Sequence, residues 1–559
     1  MCIRDSDIHG QKLYEKPEFA KNWSNPGKHP DHIVLNFSDD PSSTVSVTWR
    51  TNKDVKSGYA EIAKATPDPK FIAERRTYDA KTEVFDFSDV VQNGTFSDKK
   101  VDFDDLYSHY HSVTFTDLNP NTVYGYRVGD GKIWSEWIQF KTASNKPDPF
   151  SFLYVGDAQN YILELWSRLI REGYKKAPNA SFIIHAGDLV NNAHSDHEWH
   201  EWYMAGGWIH RSLPSLSIPG NHEYRPQVQK DLDEKISRLS IQWNHQFTFP
   251  DNGVKGLEET VYYVDYQGVR FIGLNSNLMI DEQTVWLEEV LKNNPNKWTV
   301  AVYHHPLYSA SRGRDNVELR SKWKPIFDKY KVDLALQGHD HAYTRGRVSP
   351  YEENLVSGQN TKNLTGTVYV VSVSGGKMYP LKDGWNQYDA LRDRAGQNMQ
   401  LFQVITVDGN KLSYQAYTAV GNLYDSFDLV KDENGLWGST FSKAVMVNPG
   451  IPERIIQVQE GEYFWDEDPG EGGGMSILAF DGDFNRAVVY LESLEVGAPE
   501  TEAMWRTLAK LSLEGKQLHT AERCYAALGD VSKAKFLRET LNVADAASEN
   551  FGGDGKRSY

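Results

Sequence analysis

This chain of 559 residues contains only two cysteines, Cys2 and Cys524, and no long apolar run. So few cysteines exclude a disulfide framework for the body of the fold. No apolar stretch approaches the ~18 residues that a membrane-spanning helix requires, so a membrane span is not expected. Basic residues are also in deficit, with 60 Lys and Arg against 77 Asp and Glu. The net charge of −17 argues against a nucleic acid partner, because phosphate backbones attract basic surfaces.

What the chain has instead is aromatic side chains and enough length for several cores. Aromatic residues make up 13% of the sequence and include 16 tryptophans, which favours folded structure over disorder. At this length we expect about two to four domains.

Five short polar segments, each directly after an apolar run, carry the functional signal. Runs rich in Val, Ile, Phe and Tyr that stop at Gly or Pro are typical of buried strands. Polar side chains at the ends of such strands form the sites of α/β folds. The segments are GDAQ at 156–159, GDLVN at 187–191, GNHE at 220–223, HHP at 304–306 and GHDH at 338–341.

Together these segments offer the ligands of a two-metal centre. Two carboxylates offset half the charge of two divalent cations, whereas Asn and neutral His ligands offset none. The site keeps a charge of about +2, which suits a phosphate dianion. The candidate ligands are Asp157, Asp188, Asn221, His304, His339 and His341, with Asp188 as the expected bridge.

The same segments, in this order, resemble the calcineurin-like metallophosphoesterases and, within them, the purple acid phosphatases, over about residues 28–430. The resemblance implies an α/β two-sheet sandwich at 145–430 and hydrolysis of phosphoric monoesters, the acid phosphatase chemistry of EC class 3.1.3. It places His222 beside the substrate phosphate, as a binding group or proton donor. It also implies secretion or a periplasmic location. It assigns one metal to Asp157, Asp188 and His341, and the other to Asp188, Asn221, His304 and His339.

Two positions depart from the family pattern. Purple acid phosphatases have a tyrosine three residues after the second Asp, whose bond to ferric iron gives the colour, and this chain has Asn191 there. Other members of the superfamily have a His two residues after the first Asp, and here that residue is Gln159. For the metal assigned to Asp157, Asp188 and His341, only the weak oxygen donors of Gln159 and Asn191 are left as a further ligand. We therefore expect a colourless enzyme with Fe(II), Mn or Zn rather than an Fe(III)-tyrosinate.

The loop after His304 carries Arg312 and Arg314, where some relatives have histidines. An arginine fork can grip phosphate oxygens in a bidentate manner, so both are candidates for substrate contact. The alternative is that both lie on a solvated loop. Three neighbours, Glu223, His305 and Tyr343, either support the ligands or merely pack beside them.

In front of these motifs, residues 28–144 show the pattern of a β-sandwich. Val45, Val47 and Trp49 alternate with polar residues, as in a strand with one apolar face. A Leu-x-Pro-x-x-x-Tyr stretch that ends at Tyr124 resembles the tyrosine corner of fibronectin type III sandwiches. We expect this module to shield the mouth of the active site rather than to bind a ligand of its own. Behind the motifs, we expect the strand at 366–376 and the hairpin 401–421 to belong to the second sheet, and the strand 261–277 to belong to the same core.

The two ends of the chain differ in character from its body. Residues 475–559 show helical periodicity, with Gly515 and Gly529 as expected C-caps, and resemble the helical repeats of a large intraflagellar transport subunit. Residues 431–474 read as a linker and residues 1–27 stay unassigned, although MCIRDS resembles translated adaptor sequence. We expect a phosphatase with a truncated N-terminus, joined to an unrelated helical fragment that could bind protein if it is native.

Three functional hypotheses follow. The first is metal-dependent hydrolysis of a phosphorylated small molecule, as a monoester. The second is a phosphodiesterase of the same superfamily. The third is a non-catalytic interaction protein with a decayed metal site, which the missing tyrosine favours and the six intact ligands oppose.

Overall fold

A computed structural model describes residues 23–86, 107–228, 235–311, 313–348, 366–382, 385 and 390–431, together with residues 445–447, 461–463, 475–477, 499–514 and 518–541. The chain divides into two units, residues 1–450 and 451–559, and each is described by itself. Among the described residues, no helix is both long enough and apolar enough to cross a membrane.

The first unit opens with a β-rich module of eight strands. Val45, Val47 and Trp49 pack into its core, as the alternation predicts. The Tyr124 hydroxyl accepts a hydrogen bond from the Asn119 backbone N–H at 2.8 Å, so the predicted tyrosine corner is present. The strands are β1 (Asp31–Asn36), β2 (Val45–Asn52), β3 (Tyr59–Lys64), β4 (Arg76–Asp79), β5 (Lys81–Asp86), β6 (Tyr107–Phe115), β7 (Val123–Gly129) and β8 (Ile138–Lys141), with a 3-10 helix at Pro69–Glu74.

The second part of this unit contributes strands to two large sheets, and the strands Tyr224–Val228 and Lys235–Leu239 form a separate pair. The strands are β9 (Phe150–Val155), β10 (Ile183–His185), β11 (Ser215–Ser217), β12 (Tyr224–Val228), β13 (Lys235–Leu239), β14 (Tyr262–Tyr266), β15 (Val269–Gly273), β16 (Trp298–Val302), β17 (Leu334–Gln337), β18 (Tyr343–Val348), β19 (Val368–Val371), β20 (Ala390–Gly396), β21 (Leu401–Asp408), β22 (Lys411–Thr418), β23 (Leu423–Val430) and β24 (Val445–Val447). A one-turn π-helix spans Ile162–Trp166. The α-helices are α1 (Ser167–Lys176), α2 (Asp196–Gly206), α3 (Trp208–Ser212), α4 (Ile241–Gln246), α5 (Ile280–Lys292) and α6 (Val317–Tyr330).

The first sheet has eleven strands in the order β24-β23-β22-β21-β9-β10-β11-β1-β2-β6-β5, and the second has seven in the order β14-β15-β16-β17-β19-β18-β20. The main core lies between these sheets and includes Phe152, Ile184, Val300 and Val370. A second core packs α5 and α6 against the outer face of the seven-stranded sheet. These layers make the predicted two-sheet sandwich.

The front module is continuous with the first sheet. Strand β1 pairs in parallel with β11, where Asn36 lies opposite Ser215. The polar face of β2 is buried against the following domain rather than exposed to solvent: Thr48 lies 3.3 Å from the Thr248 hydroxyl, and the Arg50 guanidinium binds the Asp196 carboxylate. The two parts are therefore joined by backbone pairing and by a buried ion pair.

Two predictions about the sheets were wrong in detail. Residues 261–277 form the hairpin β14–β15 and not one strand, because Gln267 and Gly268 adopt left-handed conformations and reverse the chain. The hairpin β21–β22 belongs to the first sheet, where β21 pairs with β9, while β19 lies in the second sheet. Alternation predicted these strands but not their neighbours.

The second unit contains strands β25 (Gly461–Tyr463) and β26 (Met475–Ile477) and helices α7 (Pro499–Glu514), α8 (Leu518–Ala527) and α9 (Val531–Leu541). The helical region was predicted to start at residue 475, but residues 475–477 pair as a strand with β25. Gly529 ends α8 in a left-handed conformation, with its N–H donated to Ala526 and that of Asp530 to Tyr525, so it is the expected C-cap. Gly515, residues 1–22 and most of 431–474 lie outside the described residues. That α7 to α9 belong to a repeat array stays a prediction.

Candidate metal centre

The candidate ligands follow the carboxyl ends of parallel strands in both sheets. Asp157 comes after β9 and Asp188 after β10, while Asn221 follows β11 by four residues. His304 comes after β16, and His339 and His341 lie between β17 and β18. Because the carboxyl ends of parallel strands meet at one edge, the topology brings these residues to one place.

The structure brings all six predicted ligands together. Ligand atoms of Asp188, His304 and His339 lie within 4.8 Å of one another, and so do those of Asp157, Asp188 and His341. The Asn221 side-chain oxygen is 3.2 Å from His304 Nε2. Asp188 is common to both groups, which is the position that a bridging carboxylate would occupy.

Backbone carbonyls fix the orientation of two of the histidine rings. His304 Nδ1 donates to the Ala186 carbonyl at 2.8 Å, and His341 Nδ1 donates to the Lys377 carbonyl at 2.9 Å. Because a carbonyl occupies Nδ1 in both rings, Nε2 is the atom that would bind a metal.

Four of the six candidate ligands have a left-handed backbone conformation. Asp157, Asp188, His339 and His341 all have positive φ, between 50° and 75°. Non-glycine residues rarely adopt this left-handed conformation, and residues held in it cluster at functional sites.

The glycines of the motifs are required by close packing around the carboxylates. A Cβ on Gly220 would lie 2.1 Å from the Asp188 carboxylate, and one on Gly338 would lie 2.4 Å from that of Asp157. Each glycine therefore lets a neighbouring loop approach a ligand more closely than any side chain would permit.

Glu223 supports the Asp188 loop through hydrogen bonds to its backbone. Its carboxylate is fully buried and accepts backbone N–H bonds from Gly220 at 2.7 Å, from Asp188 at 2.9 Å and from Leu189 at 2.9 Å. The sequence left support and simple packing open for this residue, and these bonds show that it supports the loop.

The electrostatics of the cluster fit divalent cations. Burial raises the pKa of Asp157 to about 8, against the lowering effect of His304. Burial also lowers the pKa values of His339 and His341 well below the usual value, so both rings are neutral. Buried carboxylates are costly without a compensating cation, and neutral imidazoles are the form that binds metal. The donor set of two carboxylates, one amide and three imidazoles therefore fits two metal ions.

Gln159 and Asn191, the two residues that depart from the family pattern, differ in their surroundings. Gln159 is buried, and its Nε2 donates to the Asp188 carboxylate at 2.8 Å and lies 3.0 Å from His341 Nε2. Its Oε1 is buried without a hydrogen bond, so rotation of the amide would turn a free oxygen toward the ligands. Asn191 uses its backbone carbonyl, which accepts from His222 Nδ1 at 2.6 Å. Ligation by either side chain stays a prediction.

The predicted substrate residues lie at the rim. His222 Nε2 is 3.9 Å from the Asp188 carboxylate, and the ring is partly exposed. Arg314 donates from Nη1 to the His339 carbonyl, and its guanidinium carbon is 4.7 Å from the centre of the Tyr379 ring. Arg314 is thus anchored beside the centre, whereas Arg312 lies outside the described residues.

The other two neighbouring residues, His305 and Tyr343, have different surroundings. His305 packs on the ligands, with its ring centre 4.3 Å from that of His339, and its Nδ1 lies 2.8 Å from the Ser276 hydroxyl. Tyr343 instead donates to Asp425 at 2.8 Å, inside a buried network with Arg345. His305 therefore lines the cluster, and Tyr343 braces the sheet behind it.

Comparison with known proteins agrees with this geometry. Residues 30–142 match the purple acid phosphatase N-terminal domain, and residues 150–343 match the calcineurin-like phosphoesterase family. These two segments are therefore similar to the two domains expected of a purple acid phosphatase-like metallophosphoesterase. The recognised family is thereby confirmed for this part of the chain.

Relatives of the purple acid phosphatase-like region cover most of it. Purple acid phosphatase 13 of Arabidopsis thaliana is 23% identical over 393 residues, which are 62% of this chain and 68% of the relative. The Fe(3+)-Zn(2+) purple acid phosphatase 12 of the same plant is 27% identical over 308 residues, 51% of this chain and 64% of the relative. The structure of purple acid phosphatase PPD1 from yellow lupin seeds shares the fold, with a TM-score of 0.58 and 20% identity over 73% of this chain and 75% of that one.

A separate segment of the chain is similar to a different protein. The intraflagellar transport protein 172 homolog of Danio rerio is 63% identical over 133 residues, 24% of this chain. The chain spans 7% of that relative's length. The second predicted resemblance is therefore also confirmed.

Proposed function

We propose that this chain hydrolyses phosphoric monoesters at a dinuclear metal centre. The observation that carries the proposal is the convergence of six ligand side chains from five strand ends, with Asp188 common to both groups. Support also comes from the family matches over residues 30–142 and 150–343.

Asp157, Asp188 and His341 would hold one ion, and Asp188, Asn221, His304 and His339 the other. Two divalent cations supply Lewis acidity at phosphate oxygens and lower the pKa of bound water. The chain's own contribution is rigidity, since Glu223 and the carbonyls of Ala186 and Lys377 fix the ligand loops before substrate binds.

His222 is the proposed group that contacts the substrate phosphate. Its Nδ1 donates to the Asn191 carbonyl, so its Nε2 faces the centre. In its protonated form the ring can donate from Nε2 a hydrogen bond to a phosphate oxygen or a proton to the departing ester oxygen. Arg314 and Arg312 stay proposed phosphate contacts.

Zn, Mn and Fe(II) are the proposed metals. Asn191 takes the place of the tyrosine that gives purple acid phosphatases their colour, so an Fe(III)-tyrosinate is not expected. The name of purple acid phosphatase 12 gives Fe(3+) and Zn(2+) for that protein. Secretion or a periplasmic location is proposed on the same relationship, and protein binding is proposed for the helical segment.

The test is hydrolysis of p-nitrophenyl phosphate beside its bis-ester by the full chain, with Zn, Mn or Fe(II), across pH. We expect monoesterase activity that a chelator removes and that Asp188→Ala and Asn221→Ala abolish. Asp333→Asn is the matched control, because Asp333 is equally buried but binds Lys431 at 2.7 Å.

The same assay separates the alternatives. Faster turnover of the bis-ester would favour a phosphodiesterase. Two bound metals with no turnover of either ester would favour a non-catalytic interaction protein. Activity that survives both the chelator and the loss of Asp188 would contradict the proposal.

A further inference from the structure

One wall of the candidate centre carries positively charged side chains. Two metal ions would be enough to bind the scissile phosphate, so these side chains suggest a further role. The wall consists of Arg314, Tyr379 and Lys377, which we call the Tyr379 wall. Tyr379 and Lys377 belong to the segment after β19, and all three side chains are partly exposed. Neither Tyr379 nor Lys377 was among the predicted site residues.

Backbone hydrogen bonds fasten this wall to the ligand loops. The Lys377 carbonyl accepts from His341 Nδ1 at 2.9 Å, and the Tyr379 N–H donates to the His341 carbonyl at 3.0 Å. The Tyr379 ring meets the His341 ring edge-on, with ring centres 4.9 Å apart. Any substrate bound at the centre would therefore lie beside a wall whose position is fixed.

Two cations lie near the face of the phenol ring. The Arg314 guanidinium carbon lies 4.7 Å from the ring centre, and Lys377 Nζ lies 5.6 Å from it. Cations near an aromatic face are attracted to its negative quadrupole, so Tyr379 helps to hold both of them. Within the described ranges, neither Arg314 nor Lys377 forms an ion pair with a carboxylate.

The acidic ligands of the centre and Glu223 have polar partners of their own. Asp157, Asp188 and Glu223 are fully buried and are engaged by backbone N–H groups or by the histidine ligands. The part of a substrate that projects from the centre along this wall therefore meets positive side chains and an aromatic ring.

We propose that the Tyr379 wall selects phosphoric monoesters whose leaving group carries a negative charge of its own. This inference rests on the proposed function. Metal ions held at the centre would bind the scissile phosphate, which all such esters share, so discrimination between leaving groups would depend on the side chains beside it. A carboxylate on the leaving group interacts with Lys377 and Arg314, whereas a neutral leaving group gains nothing from them.

The test compares phenyl phosphate with meta-carboxyphenyl phosphate, since their leaving groups have similar basicity and differ in charge. The quantity measured is the ratio of kcat/KM for the carboxylated ester to that for the neutral one. We expect the ratio to exceed one in the wild type and to fall about tenfold in Lys377→Met, which removes the charge and keeps an apolar stem. Rising salt should lower the wild-type ratio, because the interaction is partly exposed.

Two controls accompany this variant. Lys175→Met removes one positive charge from the exposed surface of α1 and should leave the ratio unchanged. Arg314→Lys keeps the charge at the wall and should retain most of the preference, although it alters the bond to the His339 carbonyl.

An unchanged ratio in Lys377→Met would overturn the proposal. An equal loss on both esters would also overturn it, because Lys377 would then act on the scissile phosphate or on the centre. Failure of the wild type on both esters would count against the proposed function instead. Binding of the two esters to the metal-loaded chain, measured by calorimetry, would then decide: tighter binding of the carboxylated ester that Lys377→Met removes supports the wall, and equal affinities overturn it.

Discussion

At the scale of single residues, the centre depends on side chains that bind no metal. Glu223 illustrates this, because its one carboxylate accepts N–H bonds from both the Asp188 loop and Gly220, the residue before Asn221. A carboxylate accepts at both oxygens, so it can hold two loops at once. An amide of the same shape would present N–H groups to N–H groups on one side.

Glu223→Gln is therefore expected to weaken metal binding without removing a ligand. Loss of an outer-shell partner of this kind costs about 10- to 100-fold in metal affinity. The measurement is a competition titration of Zn against a chromophoric chelator. Glu61→Gln is the control, since Glu61 is a buried glutamate of the front module that binds Arg75 and Arg127. Equal Zn affinity in the wild type and Glu223→Gln would refute the supporting role.

A single substitution also tests why the protein is expected to be colourless. If the loop after Asp188 has the family geometry, Asn191→Tyr should place a phenolate on the first metal. With iron supplied, this variant is expected to gain a visible charge-transfer band that the wild type lacks. An absorption spectrum of the iron-loaded proteins decides, and a colourless variant would show that Asn191 is not in the position of the missing tyrosine.

At the scale of elements, the sequence predicted the positions of the strands better than their partners. Each motif follows a buried strand, because short apolar runs rich in Val, Ile, Phe and Tyr seldom form anything else. Alternation could not place β21–β22 in the first sheet, since pairing is set by contacts that are distant along the chain. The backbone N–H bonds that Glu223 accepts could not be predicted either, because they depend on where the loops meet.

The strand β2 shows another limit of sequence patterns. Its polar face, which alternation assigns to solvent, is buried against the following domain and includes the fully buried Arg50. Arg50 donates to Asp31 at 2.8 Å and also binds Asp196. A period of two identifies the two faces of a strand but does not show that both are covered.

Arg50→Met is expected to destabilise the first unit strongly. It leaves Asp196 buried without its positive partner, and breaking a buried ion pair in this way costs about 3–5 kcal/mol. Urea unfolding at neutral pH measures the change. Arg211→Met, which breaks an exposed pair with Glu136, should cost less than about 1 kcal/mol. Similar values for the two variants would contradict the structural role assigned to Arg50.

At the scale of the whole molecule, buried neutral histidines make stability depend on pH. Burial lowers the pKa of His210 to about 3, while an unfolded histidine titrates near 6.5. Below pH 6.5 the unfolded chain therefore binds a proton that the native chain rejects. The contribution of this residue to stability is complete above pH 6.5 and is lost as the pH falls toward 3.

His210→Phe isolates that effect. His210 stacks on Trp202 with ring centres 3.9 Å apart, and Phe keeps a ring in that place. Between pH 6.5 and 5.5 the unfolding free energy of the wild type should fall by about 1 kcal/mol relative to the variant. Urea titrations of both proteins at the two pH values give the difference, and a constant difference would mean that His210 is not buried in its neutral form.

In the proposed centre, six side chains from five strand ends hold two metal ions that share Asp188. The most direct measurement is the metal content of the full chain after loading with Zn and gel filtration, by elemental analysis, for the wild type, Asp188→Asn and Asp333→Asn. We predict two ions per chain in the wild type and in Asp333→Asn, and at most one in Asp188→Asn. A wild type that retains no metal, or an Asp188→Asn variant that still retains two ions, would contradict the account.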